Sequence, residues 1–384
     1  MHMVSRPGQP PWQEFLEPYR KWAKPKSDAR PSPSRRNVEI WFTYNKSLMA
    51  RPLTALGRLA RLAFVLLIAV LIVWGILYLT FDHVLHAAHD ALRSRPTPAA
   101  DYSEALARFG KMEEEDGPEI STACRSILLT HGQGTEKAVV LFHGYTNCPQ
   151  QFRELGQMLY EQGYNVLIPR LPRHGLADRK VENLSPLTAE ELRECADMSV
   201  DIACGLGRKV YVAGLSAGGT LAAWIAQNRS DVTRVVLIAP ALGLTRHEGT
   251  RLQKGIALLL LVLPDMHKDW YDADPKAQGY AYPGFSTRAL AQILRFSMAT
   301  FAEAFDHAPR VQEVVLITSK SDEAVSDFLA WQLIGLWRSK GLFKFAAVDF
   351  PKAMEIDHDM IDPGHKNQQT EIVYPVIVSL LSAP

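Results

Sequence analysis

The sequence predicts an α/β protein: a mostly parallel sheet with helices on both faces and a helical insertion, preceded by one N-terminal transmembrane helix. Three observations carry this prediction. An uncharged apolar run of 20 residues occupies positions 62–81. From Ile120 onward, short β-branched runs alternate with helix-length stretches, the rhythm that builds strand–helix–strand units. Between Pro240 and Val311 the rhythm stops for about 70 residues, longer than an ordinary connection.

The apolar run comes first. Twenty helical residues at about 1.5 Å each span about 30 Å, the thickness of a bilayer's hydrocarbon core. Trp74 and Tyr78 lie toward one end of the run, where amphipathic rings favour the membrane interface. The segment before it is too long for the n-region of a cleaved signal peptide, so the run reads as an uncleaved signal anchor.

Charge sets the expected orientation. The 384-residue chain has a formal net charge of +1, which gives no reason to expect a nucleic-acid partner. Residues 1–61, however, hold 12 Lys/Arg against four Asp/Glu, and the rest of the chain carries an acidic surplus. The positive-inside rule therefore predicts a single-pass membrane protein. Its Pro-rich, unstructured basic head would be cytoplasmic and its body outside the cytoplasm, in the periplasm if the source is bacterial. Residues 82–118, with Pro96, Pro98 and the acidic run Glu113–Asp116, read as a linker that holds one short helix capped by Asp101.

The body, 119–384, follows in order. Strands are predicted at Ser126–Thr130, Ala138–Phe142, Tyr164–Ile168, Lys209–Ala213, Val232–Ala239, Glu313–Thr318 and Lys344–Phe350. Helices are predicted at Gln150–Glu161, Thr188–Leu206, Ala217–Asn228, Ala324–Lys340 and Thr370–Leu381. The insertion, 241–311, contains the apolar stretch Ile256–Leu263, too short to cross a bilayer. Of the four cysteines, Cys195 and Cys204 are nine apart in a predicted helix, which puts them on opposite faces and about 13 Å apart. Cys124–Cys148 is the better candidate for a disulfide, permitted if the body is in an oxidising compartment.

The chemistry centres on Gly214-Leu215-Ser216-Ala217-Gly218-Gly219, which follows a strand and opens a helix. A serine on such a turn takes a strained backbone that exposes its hydroxyl, and small neighbours let strand and helix approach closely. A serine hydroxyl needs a base, and the base needs an orienting acid. Asp322 follows the strand ending at Thr318, and His358 follows the strand ending at Phe350. Both positions fit by topology as well as by residue type. Glu323 is the rival acid and His365 the rival base. The backbone N–H groups of Ala217 and of Tyr145, in the strand-to-loop sequence Leu141-Phe142-His143-Gly144-Tyr145, are the candidate oxyanion hole. His143 reads as a support for that loop.

With these residues in view, positions from about 120 to 384 resemble the α/β-hydrolase superfamily, within it the carboxylesterase and monoacylglycerol-lipase-like branch with its lysophospholipase-type relatives. The matching pieces are His143-Gly144-Tyr145-Thr146, Leu171-Pro172-Arg173-His174-Gly175, Gly214–Gly219, Ser321-Asp322 and His358. The resemblance implies an α/β-hydrolase fold, Ser216 as nucleophile, Asp322 as acid, His358 as base, and a cap in the insertion. Asn147-Cys148 departs from the small Gly-Ser pair common after the oxyanion loop, and Arg173 departs from the usual glycine.

The implied activity is hydrolysis of carboxylic esters through an acyl-enzyme, with no cofactor or metal. The apolar insertion and the anchor point to a lipid-like or acylglycerol substrate. Amide, peptide or thioester cleavage on the same three residues is the alternative, since fold does not settle reaction. A non-catalytic anchored scaffold is the other, against which the complete trio argues.

Overall fold

The computed structural model describes residues 57, 60–75, 91–244, 250–269, 279–342, 344–365 and 368–382. The chain divides into two units, Met1–Gly75 and Ile76–Pro384.

In the first unit, residues 60–75 form one helix, α1. Its side chains are exposed all round, Phe64, Leu67 and Leu71 among them. Among the described residues no helix is long and apolar enough to cross a membrane. Residues 76–81, the remainder of the predicted span, lie outside the described residues, as does almost all of the basic head.

The second unit is built on a seven-stranded sheet. In chain order its strands are β1 (Ile127–Leu129), β2 (Thr135–Phe142), β3 (Tyr164–Ile168), β4 (Gly207–Leu215) and β5 (Val232–Ile238); β8 (Glu313–Ser319) and β9 (Lys344–Phe350) complete it. The spatial order is β1-β3-β2-β4-β5-β8-β9. All neighbours are parallel except β1, which runs antiparallel to β3. The turn at His131–Gly134 therefore does not close a hairpin, because β3 lies between the two strands it joins.

The helices are α2 (Tyr102–Glu114), α3 (Arg153–Glu161), α4 (Ala189–Leu206), α5 (Ala217–Asn228), α6 (Thr250–Val262), α7 (Thr287–Asp306), α8 (Asp327–Lys340) and α9 (Thr370–Ser382). Alternate residues of the central strands face opposite layers. Ala138, Val140 and Phe142 pack with α4, α5, α7 and α8, whereas Val139 and Leu141 pack with α3 and α9. Burial on both faces is why β2 to β5 read as apolar runs rather than as alternating ones.

Local chemistry sets the helix ends. Thr188 caps α4 in a reciprocal capping box with Glu191, which satisfies two otherwise orphaned N–H groups. Helix α8 starts at Asp327, three residues later than predicted. The N–H groups of Ala324 and Val325 are already donated to Asp322 Oδ1, and Ser326 takes over as the cap.

Two expectations need correction. Within the predicted linker, residues 91–118 are packed on the body. Leu92 is buried, and its carbonyl accepts from Trp224 Nε1 at 3.0 Å. Asp197 and Asp201 of α4 accept from the backbone N–H groups of Arg95 and Thr97. Of the acidic run, Glu113–Glu115 are exposed as expected, whereas Asp116 is buried and accepts from Arg170 Nε at 2.6 Å and from the Ser126 N–H at 2.6 Å. Proline and charge there signalled solvent throughout, but the Arg170 guanidinium, on another element, neutralises Asp116. The insertion holds α6, α7 and a small antiparallel pair, β6 (His267–Asp269) with β7 (Gly284–Ser286). At three residues each, these strands are too short to show a period.

Cys124 and Cys148 form a disulfide with Cα atoms 5.2 Å apart, while Cys195 and Cys204 are free.

Candidate active site

Strands β2, β4, β8 and β9 are parallel, so the loops that follow them emerge at one edge of the sheet. That carboxyl edge is where open α/β sheets bind ligands. Each loop carries a predicted site residue: Tyr145 after β2, Ser216 after β4, Asp322 after β8 and His358 after β9.

Ser216 stands between β4 and α5 at φ 56°, ψ −116°. A non-glycine residue at positive φ costs of order 1–3 kcal/mol and persists only where its surroundings enforce it. The enforcement is visible. The Ser216 N–H donates to Ile238 O at 3.0 Å, and the Ala241 N–H donates to Ser216 O at 2.9 Å. A Cβ at Gly214 would overlap Gly218 O, and one at Gly218 would overlap Phe142 O. The spacing of small residues in the motif is thus a record of strand and helix in backbone contact. Ser216 is 92% buried, with 8% exposure, and the first-turn N–H of Ala217 has no intrahelical acceptor.

His358 Nδ1 lies 2.7 Å from Asp322 Oδ2, while Asp322 Oδ1 accepts from the Ala324 and Val325 N–H groups. Burial opposes ionisation of Asp322. The facing His358 and the two N–H donors outweigh it and hold the carboxyl below its ordinary value. Burial likewise pushes His358 down, but the charge and hydrogen bond of Asp322, with Asp359 and Asp357 nearby, outweigh it and raise the imidazole to about 9. The rivals are placed differently. Glu323 is exposed, and His365 Nδ1 is buried without a hydrogen-bond partner among the described residues. Among the same residues there is no hydrogen bond between Ser216 Oγ and His358; unliganded sites commonly leave this bond long.

The candidate oxyanion loop lies beside the serine, since a Cβ at Gly144 would be 3.6 Å from Ser216 Cβ. His143 is fully buried; it accepts from the Leu171 N–H at Nε2 (3.0 Å), so Nδ1 carries the proton that Gly144 O accepts (2.9 Å). Burial, then the neighbouring His174, hold it well below its ordinary value. It is a neutral support, as predicted. The Tyr145 phenol donates to Ser286 O at 2.8 Å and accepts from the Ser286 N–H at 3.1 Å, tying the loop to β7 of the insertion. The Tyr282 N–H adds a bond to Thr146 O at 2.8 Å.

Sequence reasoning missed the polar residues behind this loop. Gln151 and Asp362 are fully buried and Asn147 is nearly so, and with Tyr280 they form one hydrogen-bonded cluster. No spacing signal marked them. The only hint was Asp362 four residues beyond His358.

A doubly wound sheet with a serine on a strained strand-to-helix turn, and a His–Asp pair on the loops after its last two strands, is the architecture of the α/β hydrolases. The chain belongs to the Alpha/beta hydrolase family, whose match covers residues 139–365, more than half of its length. It is 28% identical over 171 residues to the thermostable monoacylglycerol lipase of Bacillus sp. (strain H-257), a match that covers 43% of this chain and 63% of that lipase. Two solved structures share the fold. The Paleococcus ferrophilus monoacylglycerol lipase has a TM-score of 0.50 at 18% identity, covering 67% of this chain and 97% of its own. A soluble variant of the Saccharomyces cerevisiae monoglyceride lipase, bound to a substrate analog, has a TM-score of 0.52 at 13% identity, covering 67% and 90%. The resemblance drawn from the motifs agrees with these comparisons.

Proposed function

We propose that this protein is a membrane-anchored serine hydrolase that cleaves carboxylic esters with a lipid-like acyl chain. The observation that carries the reading is Ser216 on its strained turn, beside the oxyanion loop, in a chain whose His358 is paired to Asp322. The monoacylglycerol lipases it resembles support the ester class.

The chemistry follows from the protons. Asp322 holds the Nδ1–H of His358, which leaves Nε2 with the lone pair of the neutral ring. Nε2 takes the Ser216 hydroxyl proton as Oγ attacks the ester carbonyl carbon. The carbonyl π pair moves onto oxygen, where the N–H groups of Tyr145 and Ala217 stabilise the charge. The intermediate collapses, the C–O bond to the alcohol breaks, and the imidazolium returns its proton to the leaving oxygen. Water, deprotonated by the same Nε2, then attacks the acyl-enzyme; carboxylic acid leaves and Ser216 regains its proton.

Membrane attachment is supported by the uncharged run 62–81 and by the exposed apolar surface of α1. The Cys124–Cys148 disulfide supports a body outside the cytoplasm, where disulfides persist.

The first test is labelling of the full chain by a fluorophosphonate, which esterifies an activated serine with loss of fluoride. Labelling that vanishes in Ser216→Ala is expected; equal labelling of both proteins would refute the assignment of the nucleophile. A series of esters of increasing acyl length tests the substrate, and preference for acetyl esters would sink the lipid reading. A C-terminal reporter that works only in the cytosol tests the orientation, and robust signal would reverse it.

A further inference from the structure

We propose that Gln151 is a positioning residue of the oxyanion loop, held in one orientation by Asp362, and that this pair sets the aim of the Tyr145 N–H; the inference rests on the function proposed above. The Tyr145 N–H and the Gly144 carbonyl belong to one peptide plane, so orienting one orients the other. The Gly144 carbonyl accepts from His143 Nδ1 at 2.9 Å and from the Asn147 N–H at 3.3 Å. That fixes one side of a glycine, the residue with the greatest backbone freedom. The other side is fixed by Gln151, whose Oε1 accepts from the Gly144 N–H at 2.8 Å.

The carboxamide has no alternative orientation. Its Nε2 faces Asp359 Oδ1 at 3.3 Å and Asp362 Oδ2 at 3.4 Å. A flip would set its oxygen against the Asp362 carboxylate and its NH2 against the Gly144 N–H. Asp362 is anchored in turn by donors from separate elements: Asn147 Nδ2 at 2.8 Å, the Tyr280 hydroxyl at 2.7 Å and the Gly364 N–H at 2.9 Å. The Asn147 amide is itself oriented, because its Oδ1 accepts from the Cys148 N–H at 2.9 Å. The cluster therefore joins the oxyanion loop, the loop that carries His358 and the insertion. Apolar side chains of the same volume would fill this space without the desolvation cost of buried polar groups. What packing alone does not supply is a directed acceptor for the Gly144 N–H.

Gln151→Met keeps the length of the side chain and removes its polar atoms. In the full chain, kcat/KM on a matched ester is expected to fall about 10- to 100-fold, carried by kcat, the scale of a small misplacement of reacting groups. An alkyl trifluoromethyl ketone, which adds Ser216 Oγ and places an oxyanion in the hole, should lose affinity by the same factor. The matching alkyl methyl ketone, a ground-state mimic, should bind within about twofold of wild type. Tyr280→Phe removes one anchor of Asp362 and should give a smaller loss of about threefold with the same discrimination between ketones; it carries the test alone should Gln151→Met not fold. Unchanged rates, or equal loss of affinity for both ketones, would overturn the inference while leaving the hydrolase reading intact. A wild-type chain inert to fluorophosphonate and to esters would overturn that reading itself.

Discussion

His358, the base in the function proposed above, should make activity and stability move in opposite directions with pH. His358 is raised from 6.5 to about 9, because the charge of Asp322, helped by Asp359 and Asp357, outweighs the penalty of burial. A general base works only when neutral, and kcat/KM reports the free enzyme. At pH 7 a group with a pKa near 9 is neutral in about one molecule in a hundred, and at pH 8 in about one in ten. kcat/KM should therefore climb about tenfold per pH unit from neutrality and level off above pH 9. Stability runs the other way. Between 6.5 and about 9 the folded state holds a proton that the unfolded chain has released, so the contribution present below 6.5 is progressively lost as pH rises. At about 1.4 kcal/mol per unit, the full loss is about 3 kcal/mol. Two measurements check this: a pH–rate profile on a soluble ester, and urea unfolding at pH 6.5 and 9.5 for wild type and His358→Gln. The variant should show a shallower fall in stability. Asp357→Asn should move the rate midpoint downward without moving the plateau much, since it removes one of the lesser raising charges. A midpoint near 6.5 together with identical pH dependence of unfolding in wild type and His358→Gln would refute the electrostatic argument.

Three further outcomes follow from packing and pairing. Gly218→Ala forces a Cβ onto Phe142 O and to 2.7 Å from His143 O; it should destabilise by about 1–3 kcal/mol or more and abolish fluorophosphonate labelling, read by urea unfolding and gel fluorescence. Cys124→Ser with Cys148→Ser opens a closure of 24 residues, and the stability lost should be about 3 kcal/mol, measurable as a lowered urea midpoint that reductant reproduces in wild type. Arg229→Met strips the cation from Asp197, Asp201 and Asp231, which it meets at 3.0, 2.6 and 2.6 Å; breaking a buried pair from one side should cost about 3–5 kcal/mol, with part of it recovered at acid pH.

The elements that were legible in the sequence are those whose signal is local. Each of the seven strands of the main sheet overlaps its predicted range because it holds a short apolar run, and α5 follows from its place behind Ser216, its ends matching the prediction residue for residue. The candidate site was legible for a related reason: Ser216, Asp322 and His358 each occupy the first loop after a strand, so topology singles them out as candidates among many serines, aspartates and histidines. What stayed hidden depends on partners far away in the chain. Asp116 looks like one acid in a solvated run until Arg170 is brought to it 54 residues later. The β6–β7 pair offers three residues a side, below the length at which alternation can register. Gln151, Asn147 and Asp362 are polar residues in a core, and no periodic pattern predicts where three such residues will converge.

The departures from the family's small-residue pattern are resolved by the same long-range pairing. Arg173 stands where a glycine is usual and does adopt φ 67°, a conformation that favours glycine. Its guanidinium meets Glu191 Oε1 at 2.7 Å, and Glu191 is also the capping residue of α4. Cys148, in place of a small residue, is bonded to Cys124, and Asn147 beside it donates to Asp362. Thr146, between Tyr145 and this pair, is itself at φ 65°, and its carbonyl accepts from the insertion through Tyr282. Each larger residue around the oxyanion loop thus arrives with a partner on a different element. A loop of small residues reaches its shape because glycine permits it. This loop is held to its shape by a disulfide, a bond from Tyr282 and a buried amide cluster, and, on the function proposed, donors already aimed at a developing charge would need no reorganisation when the charge appears.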